Sequence, residues 1–304
     1  MLTGVWSLRF SSPTTAMDSD MKTSCLKSRL LAVLLGALAV DLALAQTPPP
    51  AAPAAPPPTP EHTLTANVGL FSEYIFRGIQ QTAGKPAVQG GFDYAHSSGF
   101  YLGTWASNIS WLEDFGAYNH SSLEWDFYGG YKQNFPDPYG DFFYDLGVYG
   151  YVYPGSKNSG AFNADTWELY GALGWKWLSV KFSYSFTDYF GARPNAQQSK
   201  TDGTWYIDGS ATIPIGETPW AVLAHIGHLD VRHDGSDGDA ATGGKVGYTD
   251  WKFGVSYTVP DGFFKNFEAG AYYTGSDAKS RFYTDLTGRD TSKDRGVIYV
   301  KKTF

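Results

Sequence analysis

Residues Thr166 to Asp188 read TWELYGALGWKWLSVKFSYSFTD, and this stretch decides the fold. Trp167, Leu169, Gly171, Leu173, Trp175 and Trp177 occupy one set of alternate positions, and Thr166, Glu168, Tyr170, Ala172, Gly174 and Lys176 occupy the other. The phase resets near Leu178, after which Val180, Phe182, Tyr184 and Phe186 alternate with Ser179, Lys181, Ser183, Ser185 and Thr187. A period of two is the strand period, because successive side chains point to opposite faces of a sheet. The stretch therefore predicts an antiparallel hairpin with an uncharged apolar face, Trp at its ends, and a polar opposite face. A soluble sandwich can bury such a face in its core. If the pattern recurs around a closed sheet, the face is the lipid-facing wall of a barrel, in which no backbone group is left unpaired in hydrocarbon.

The pattern does recur. Strands are expected near Leu64–Gly78, Ala87–His96, Phe100–Ser110, Ser122–Gln133, Asp141–Tyr153, Asp165–Trp177, Ser179–Tyr189, Thr204–Ile215, Trp220–Val231, Thr249–Val259, Phe264–Gly275 and Arg295–Phe304. Each is long enough for the roughly 9–11 residues that a tilted spanning strand needs. Tight turns rich in Gly, Pro and Asp, such as Ser97-Ser98-Gly99 and Pro260-Asp261-Gly262, alternate with longer polar connections such as Trp111–Ser121 and Arg232–Gly247. Outer-membrane barrels alternate short periplasmic turns with long outer loops. The expected fold is thus all-β: a transmembrane antiparallel β-barrel of about twelve strands, an up-and-down meander with both termini periplasmic.

Composition agrees. Charged residues make up 17% of the 304-residue chain and aromatics 17%, with 35 Gly. The charged share is well under the roughly 25% of a soluble domain. A net charge of -7 argues against nucleic acid as a partner. The single cysteine, Cys25, falls in a segment expected to be removed, so cysteine-based metal or nucleophile chemistry is excluded from the mature chain.

Residues 1–20 read as an upstream mis-start or a disordered stretch. From Met21, a basic segment (Lys22, Lys27, Arg29), the apolar run Leu30–Val40 and the Ala43-Leu44-Ala45 site predict a signal peptide over 21–45. That apolar run is too short to span, since a helix needs about 20 residues. The run TPPPAAPAAPPPTP at 47–60 makes 46–62 a Pro/Ala-rich periplasmic linker of extended polyproline II character. The barrel occupies 63–304.

Taking the apolar phase as outward, the other phase points Glu73, Arg77, Asp93, Glu124, Asp126, Lys132, Asp145, Glu168, Lys176, Lys181, Asp208, Lys252 and Glu268 into the lumen. Lys or Arg on the lipid side near mid-membrane would cost about 2–4 kcal/mol, which is why phase assigns them inward. The phase is ambiguous for Phe100–Ser110 and Trp220–Val231. An acidic, water-filled lumen favours cations, so the expected activity is passive diffusion of small hydrophilic solutes and ions. The alternative is a plugged structural or adhesion barrel that acts through its loops or its Pro-rich arm. An outer-membrane hydrolase stands third. The only dense His/Asp region is His225–Asp239; His225 and His228 are three apart, hence on opposite faces of a strand, and spacing specifies no nucleophile. Asp234, Asp237 and Asp239 miss the alternate spacing of a calcium loop. The sequence specifies no catalytic residue, no cofactor and no metal site, and it leaves the oligomeric state open.

Residues Asn67–Ser110 carry Ser72-x-Tyr74-x-x-Arg77-Gly78, Pro86-Ala87-x-Gln89-Gly90 and Gly99-Phe100-Tyr101-x-Gly103-Thr104-Trp105-x-Ser107-Asn108. With Ser121–Lys132 and the K-x-F ending, they resemble the TorF family of proteins classed as porins. The likeness covers nearly all of 64–304. It implies an outer-membrane β-barrel and carries no catalytic residues. The final strand, ending in Phe304 with Val300 and Ile298 in phase, resembles the signal read by the barrel assembly machinery, although Lys302 departs from it. The Pro/Ala spacer and the residues before Met21 also depart from the family pattern.

Overall fold

The computed structural model describes residues 60–136, 138–193, 199–233 and 245–304. The expectations for 1–20, for 21–45, for most of 46–62 and for Asp234, Asp237 and Asp239 lie outside the described residues. Twelve strands form the wall: β1 His62–Phe71, β2 Ala87–His96, β3 Phe100–Asn108, β4 Leu123–Asn134, β5 Phe142–Val152, β6 Thr166–Trp175, β7 Leu178–Ser185, β8 Trp205–Pro214, β9 Trp220–Asp230, β10 Tyr248–Thr258, β11 Phe267–Ser276 and β12 Arg295–Thr303. Each pairs antiparallel with its neighbours, and β1 pairs with β12 from Asn67↔Thr303 to Phe71↔Tyr299, closing the barrel. Closure removes the unpaired edges that an open sheet would present.

The two faces are inverted relative to a soluble protein. Outward, Leu64 is 74% exposed, Leu173 62%, Phe253 63% and Ile298 67%. Inward, Glu124, Asp126 and Glu168 are at most 2% exposed. A wall that exposes Leu and Phe while burying carboxylates suits hydrocarbon outside and a polar interior. The two strands of ambiguous phase resolve the same way. β3 turns Tyr101 and Ser107 inward, and β9 turns His225 and Leu229 inward while Ile226 and His228 face out. No helix among the described residues is long and apolar enough to cross a membrane.

Tyrosines lie along the inner wall against glycines of neighbouring strands. The ring of Tyr128 occupies the space where a Cβ on Gly103 would sit, and Tyr299 does the same over Gly270. The missing side chain lets a ring lie flat on the sheet.

At the long-loop end the barrel is filled. One cluster joins Tyr74, Ile109, Leu112, Tyr118, Tyr151 and Tyr153; a second joins Ile79, Tyr189, Tyr206, Leu229, Val231 and Tyr248. The pattern predicts β1 as far as Gly78, but the strand stops at Phe71. Past Ser72, whose N–H still donates to the Ile298 carbonyl at 2.9 Å, the chain leaves the wall and folds inward.

Candidate functional site in the barrel lumen

The inward segment is a hairpin of minimal size. Ile75 pairs with Gln80 and Phe76 with Ile79 across Arg77-Gly78. Both turn residues have positive φ, 47° and 75°. Two such residues in a two-residue loop make a type I′ turn, whose twist matches the flanking strands. For Arg77 that conformation costs about 1–2 kcal/mol, so its contacts must hold it there. At Gly78 a Cβ would lie 2.6 Å from Asp250 Cβ and 3.1 Å from the Gly275 carbonyl oxygen. Glycine meets both the conformation and the close approach.

The hairpin bridges the lumen. Its backbone tip rests against β10 and β11, while the Arg77 side chain reaches β6. There Arg77 Nη1 donates to Glu168 Oε1 at 3.0 Å and Nη2 donates to Oε2 at 2.8 Å. Nη1 also donates to the Tyr189 hydroxyl at 3.1 Å, and the guanidinium lies 4.2 Å from the centroid of the Tyr206 ring. The Arg77 and Glu168 side chains are 6% and 3% exposed. Beside them Glu124 accepts from Tyr74 at 2.6 Å and from Tyr153 at 2.7 Å, and Asp126 accepts from Tyr149 at 2.9 Å. Buried carboxylates need such donors, because an unsatisfied buried charge is strongly disfavoured. Glu73 accepts from Gln80 within the inward segment.

Cavities flank the hairpin. One, of about 300 Å³, is largely apolar and lined by Phe76, Ile79, Trp111, Phe190, Leu229 and Tyr248 among others. The other, of about 280 Å³, is polar: Arg77, Lys181, Asp208, Ser210, His225, Asp250 and Lys252 line it. A larger apolar groove of about 450 Å³, bounded by Phe142, Leu173, Trp175 and Val180, belongs to the outer face and not to the lumen. In the polar cavity His225 Nε2 lies 3.0 Å from Asp250 Oδ1, and its Nδ1 lies 2.8 Å from Ser210 Oγ. Tyr206 donates to Asp250 at 2.8 Å, and Ser210 donates to Asp208 at 3.0 Å. Serine, histidine and acid thus meet, although spacing alone did not join them. The surroundings do not suit acyl transfer, however. The hydroxyl is turned to a second carboxylate, where an oxyanion would need donors. Charges of both signs line this cavity of about 280 Å³.

The other residues expected in the lumen lie as follows. Asp93 accepts from Tyr128 and Asp145 from Tyr101, each at 2.6 Å. Lys132 sits 4.4 Å from the centroid of the Phe143 ring. Lys181, Asp208 and Lys252 border the polar cavity. Glu268 accepts from Tyr299 at 2.6 Å and lies 3.2 Å from Lys301 Nζ. Glu73 and Arg77 sit on the inward hairpin segment, not on the first strand, because the wall ends at Phe71. Lys176 is in the turn after β6 at φ 52°, beside Asp141 at 3.3 Å and half exposed, so it stands at the short-turn rim. Asp250 and Lys301 also face the lumen. Asp250 shares the phase of Lys252, and Lys301 the phase opposite Val300, so alternation alone could have found both. His225 needed the cross-strand register.

The profile of a bacterial family, described as "Bacterial protein of unknown function (Gcw_chp)", matches residues 54–304. The TorF name read from the sequence is not the one this match carries. No curated protein matches the chain. Solved structures with a similar course include the NanC porin, at 13% identity and TM-score 0.46, covering 80% of this chain and 99% of that one. The KdgM porin matches at 11% identity and TM-score 0.44, covering 79% and 99%. Pseudomonas aeruginosa OprD matches at 13% identity and TM-score 0.35, covering 79% and 66%.

Proposed function

The chain belongs to the Gcw_chp family of bacterial proteins of unknown function, and from that premise we propose a porin-like channel of the Gram-negative outer membrane. It passes small hydrophilic solutes, cations favoured, through a lumen narrowed by the Arg77 hairpin. The observation that carries this reading is the polar cavity of about 280 Å³ beside that hairpin, inside a wall whose outer face is apolar. The short turns and both chain ends then face the periplasm. On this reading the Pro/Ala-rich linker over 46–62 lies in the periplasm, behind a signal peptide over 21–45, and the strand ending in Phe304 is offered to the barrel assembly machinery.

Liposome swelling tests the reading. Vesicles holding the folded barrel should swell in a small sugar, and faster in glucosamine than in glucuronate. Absence of swelling in every small sugar would remove the channel. A second reading, a closed barrel acting through its loops, is favoured by one feature: Arg77, Glu168, Glu124 and their tyrosines fill the mouth with satisfied bonds. Under that reading vesicles stay impermeable even when the hairpin is loosened.

A further inference from the structure

A cluster at the short-turn rim lies apart from the lumen. His62 opens β1 and His96 closes β2, and the two are directly opposed in the antiparallel register. Opposed residues point to the same face. Their phase is that of Leu64 and Phe92, so both imidazoles stand on the outer side, with ring centroids 5.2 Å apart. Glu61 precedes His62, and its carbonyl accepts from the Ser97 N–H at 2.9 Å, which seats the carboxylate beside the pair. Among the described residues, this is the one group of three or more His, Cys, Asp or Glu residues whose ligand atoms all lie within 4.8 Å of one another.

The local chemistry orients the rings. His62 Nδ1 lies 2.9 Å from the Tyr94 hydroxyl. His96 Nδ1 lies 2.6 Å from Ser98 Oγ and 3.1 Å from the Ser98 nitrogen. With each Nδ1 engaged by a hydroxyl, Nε2 is the nitrogen available to an ion, and an oxygen partner on the other nitrogen is the usual support of a metal-bound histidine. His96 Nε2 lies 3.5 Å from Glu61 Oε1. A tetrahedral ion with bonds of about 2.0–2.2 Å sets its ligand atoms about 3.3–3.6 Å apart, so the observed separation needs little adjustment.

We propose that Glu61, His62 and His96 bind a divalent transition-metal ion, with Zn²⁺ as the reference case, leaving one position to water. Two imidazoles and one carboxylate suit an ion of borderline softness better than Ca²⁺ or Mg²⁺, which prefer oxygen. Binding at His96 Nε2 puts the ring proton on Nδ1, where Ser98 Oγ accepts it, and the Ser98 N–H gives up its contact. The bound ion clasps the chain entering the barrel to the end of β2. His96 lies far along the chain from the adjacent Glu61 and His62, which hid the set from a reading by spacing.

Calorimetric titration of Zn²⁺ into the full chain, folded in detergent and carrying no polyhistidine tag, tests this. The wild type should take up one equivalent with a site that Glu61→Gln weakens and His62→Ala/His96→Ala abolishes. Tyr94→Phe should weaken binding by about tenfold, the low end of what outer partners contribute. X-ray absorption of the Zn²⁺-loaded wild type should show two imidazole ligands, a readout that does not depend on any variant folding. No uptake by the wild type, an absorption spectrum with fewer than two imidazoles, or unchanged uptake by a folded double variant would overturn the site.

Discussion

Arg77 holds Glu168 with both arms of its guanidinium, 3.0 Å from Nη1 to Oε1 and 2.8 Å from Nη2 to Oε2, across the interior of the barrel. The two residues come from different parts of the wall: one from a hairpin that leaves it, the other from β6. Their pairing fixes a strained turn in a position that a free hairpin would not keep. Planar, two-point recognition is a property of arginine and not of positive charge in general.

Removing one partner should cost more than removing both. Arg77→Ala leaves Glu168 buried without its cation, a change worth about 3–5 kcal/mol in other proteins. The double variant Arg77→Ala/Glu168→Gln should recover part of that loss, and Arg77→Lys should fall between wild type and Arg77→Ala. Thermal unfolding followed by heat-dependent gel mobility measures all four proteins. A double variant no more stable than Arg77→Ala would mean that the pair is not coupled.

Gly78→Ala should displace the hairpin even though it removes no bond. The new Cβ meets Asp250 and must adopt a φ of 75°. The conformational part alone is about 1–2 kcal/mol. Protease accessibility of 72–86 should rise in this variant while the gel mobility of the folded barrel persists. An unchanged digestion pattern would show that the tip has room to spare.

The wall was legible because its signal is local. Leu169, Leu173 and Val180 against Glu168 and Lys181 declare two faces without any knowledge of neighbours, and twelve repeats of that pattern close a sheet. The hairpin was not legible in the same way. Ile75-Phe76 and Ile79-Gln80 continue the alternation of β1 well enough to look like wall, and Arg77-Gly78 lacks the Asn-Gly or Asp-Gly that most often marks a type I′ turn. Only tertiary contacts, Arg77 with Glu168 and Gly78 with Asp250, pull that segment inward. Ser210, His225 and Asp250 meet for a similar reason: three strands bring them together, and register between strands is set by turns and packing rather than by any one segment.

Gly103→Ala should narrow the lower lumen. The ring of Tyr128 lies where the new methyl group must go, so the ring is pushed off the wall and its 2.6 Å bond to Asp93 is lost. Overpacking of this kind costs about 1–3 kcal/mol. Gly296→Ala, where nothing lies within 4 Å, is the control and should change stability by less than about 0.5 kcal/mol. Urea unfolding in lipid vesicles measures both. Equal effects would mean that the ring does not depend on the glycine.

The loop between β11 and β12 should loosen in acid. Burial raises the Asp285 carboxyl, but the Thr287 hydroxyl and the N–H groups of Arg289 and Thr287 outweigh it and hold the group below the usual carboxylate range. A folded-state value below the unfolded one gives stability that is complete above the unfolded pKa, about 3.9 for Asp, and is lost as pH falls through the folded value. Amide exchange at Thr287 and Arg289, corrected for intrinsic rates, should accelerate below about pH 4. Asp285→Asn should remove that pH dependence.

The central claim is that water and ions traverse this interior past the Arg77 hairpin, which narrows it. Zero-current potential and conductance in a KCl gradient across a planar bilayer, measured on wild type and Arg77→Ala, address it directly. The account predicts a cation-selective current that is larger in Arg77→Ala. No current from either protein, each folded by gel mobility, would contradict it.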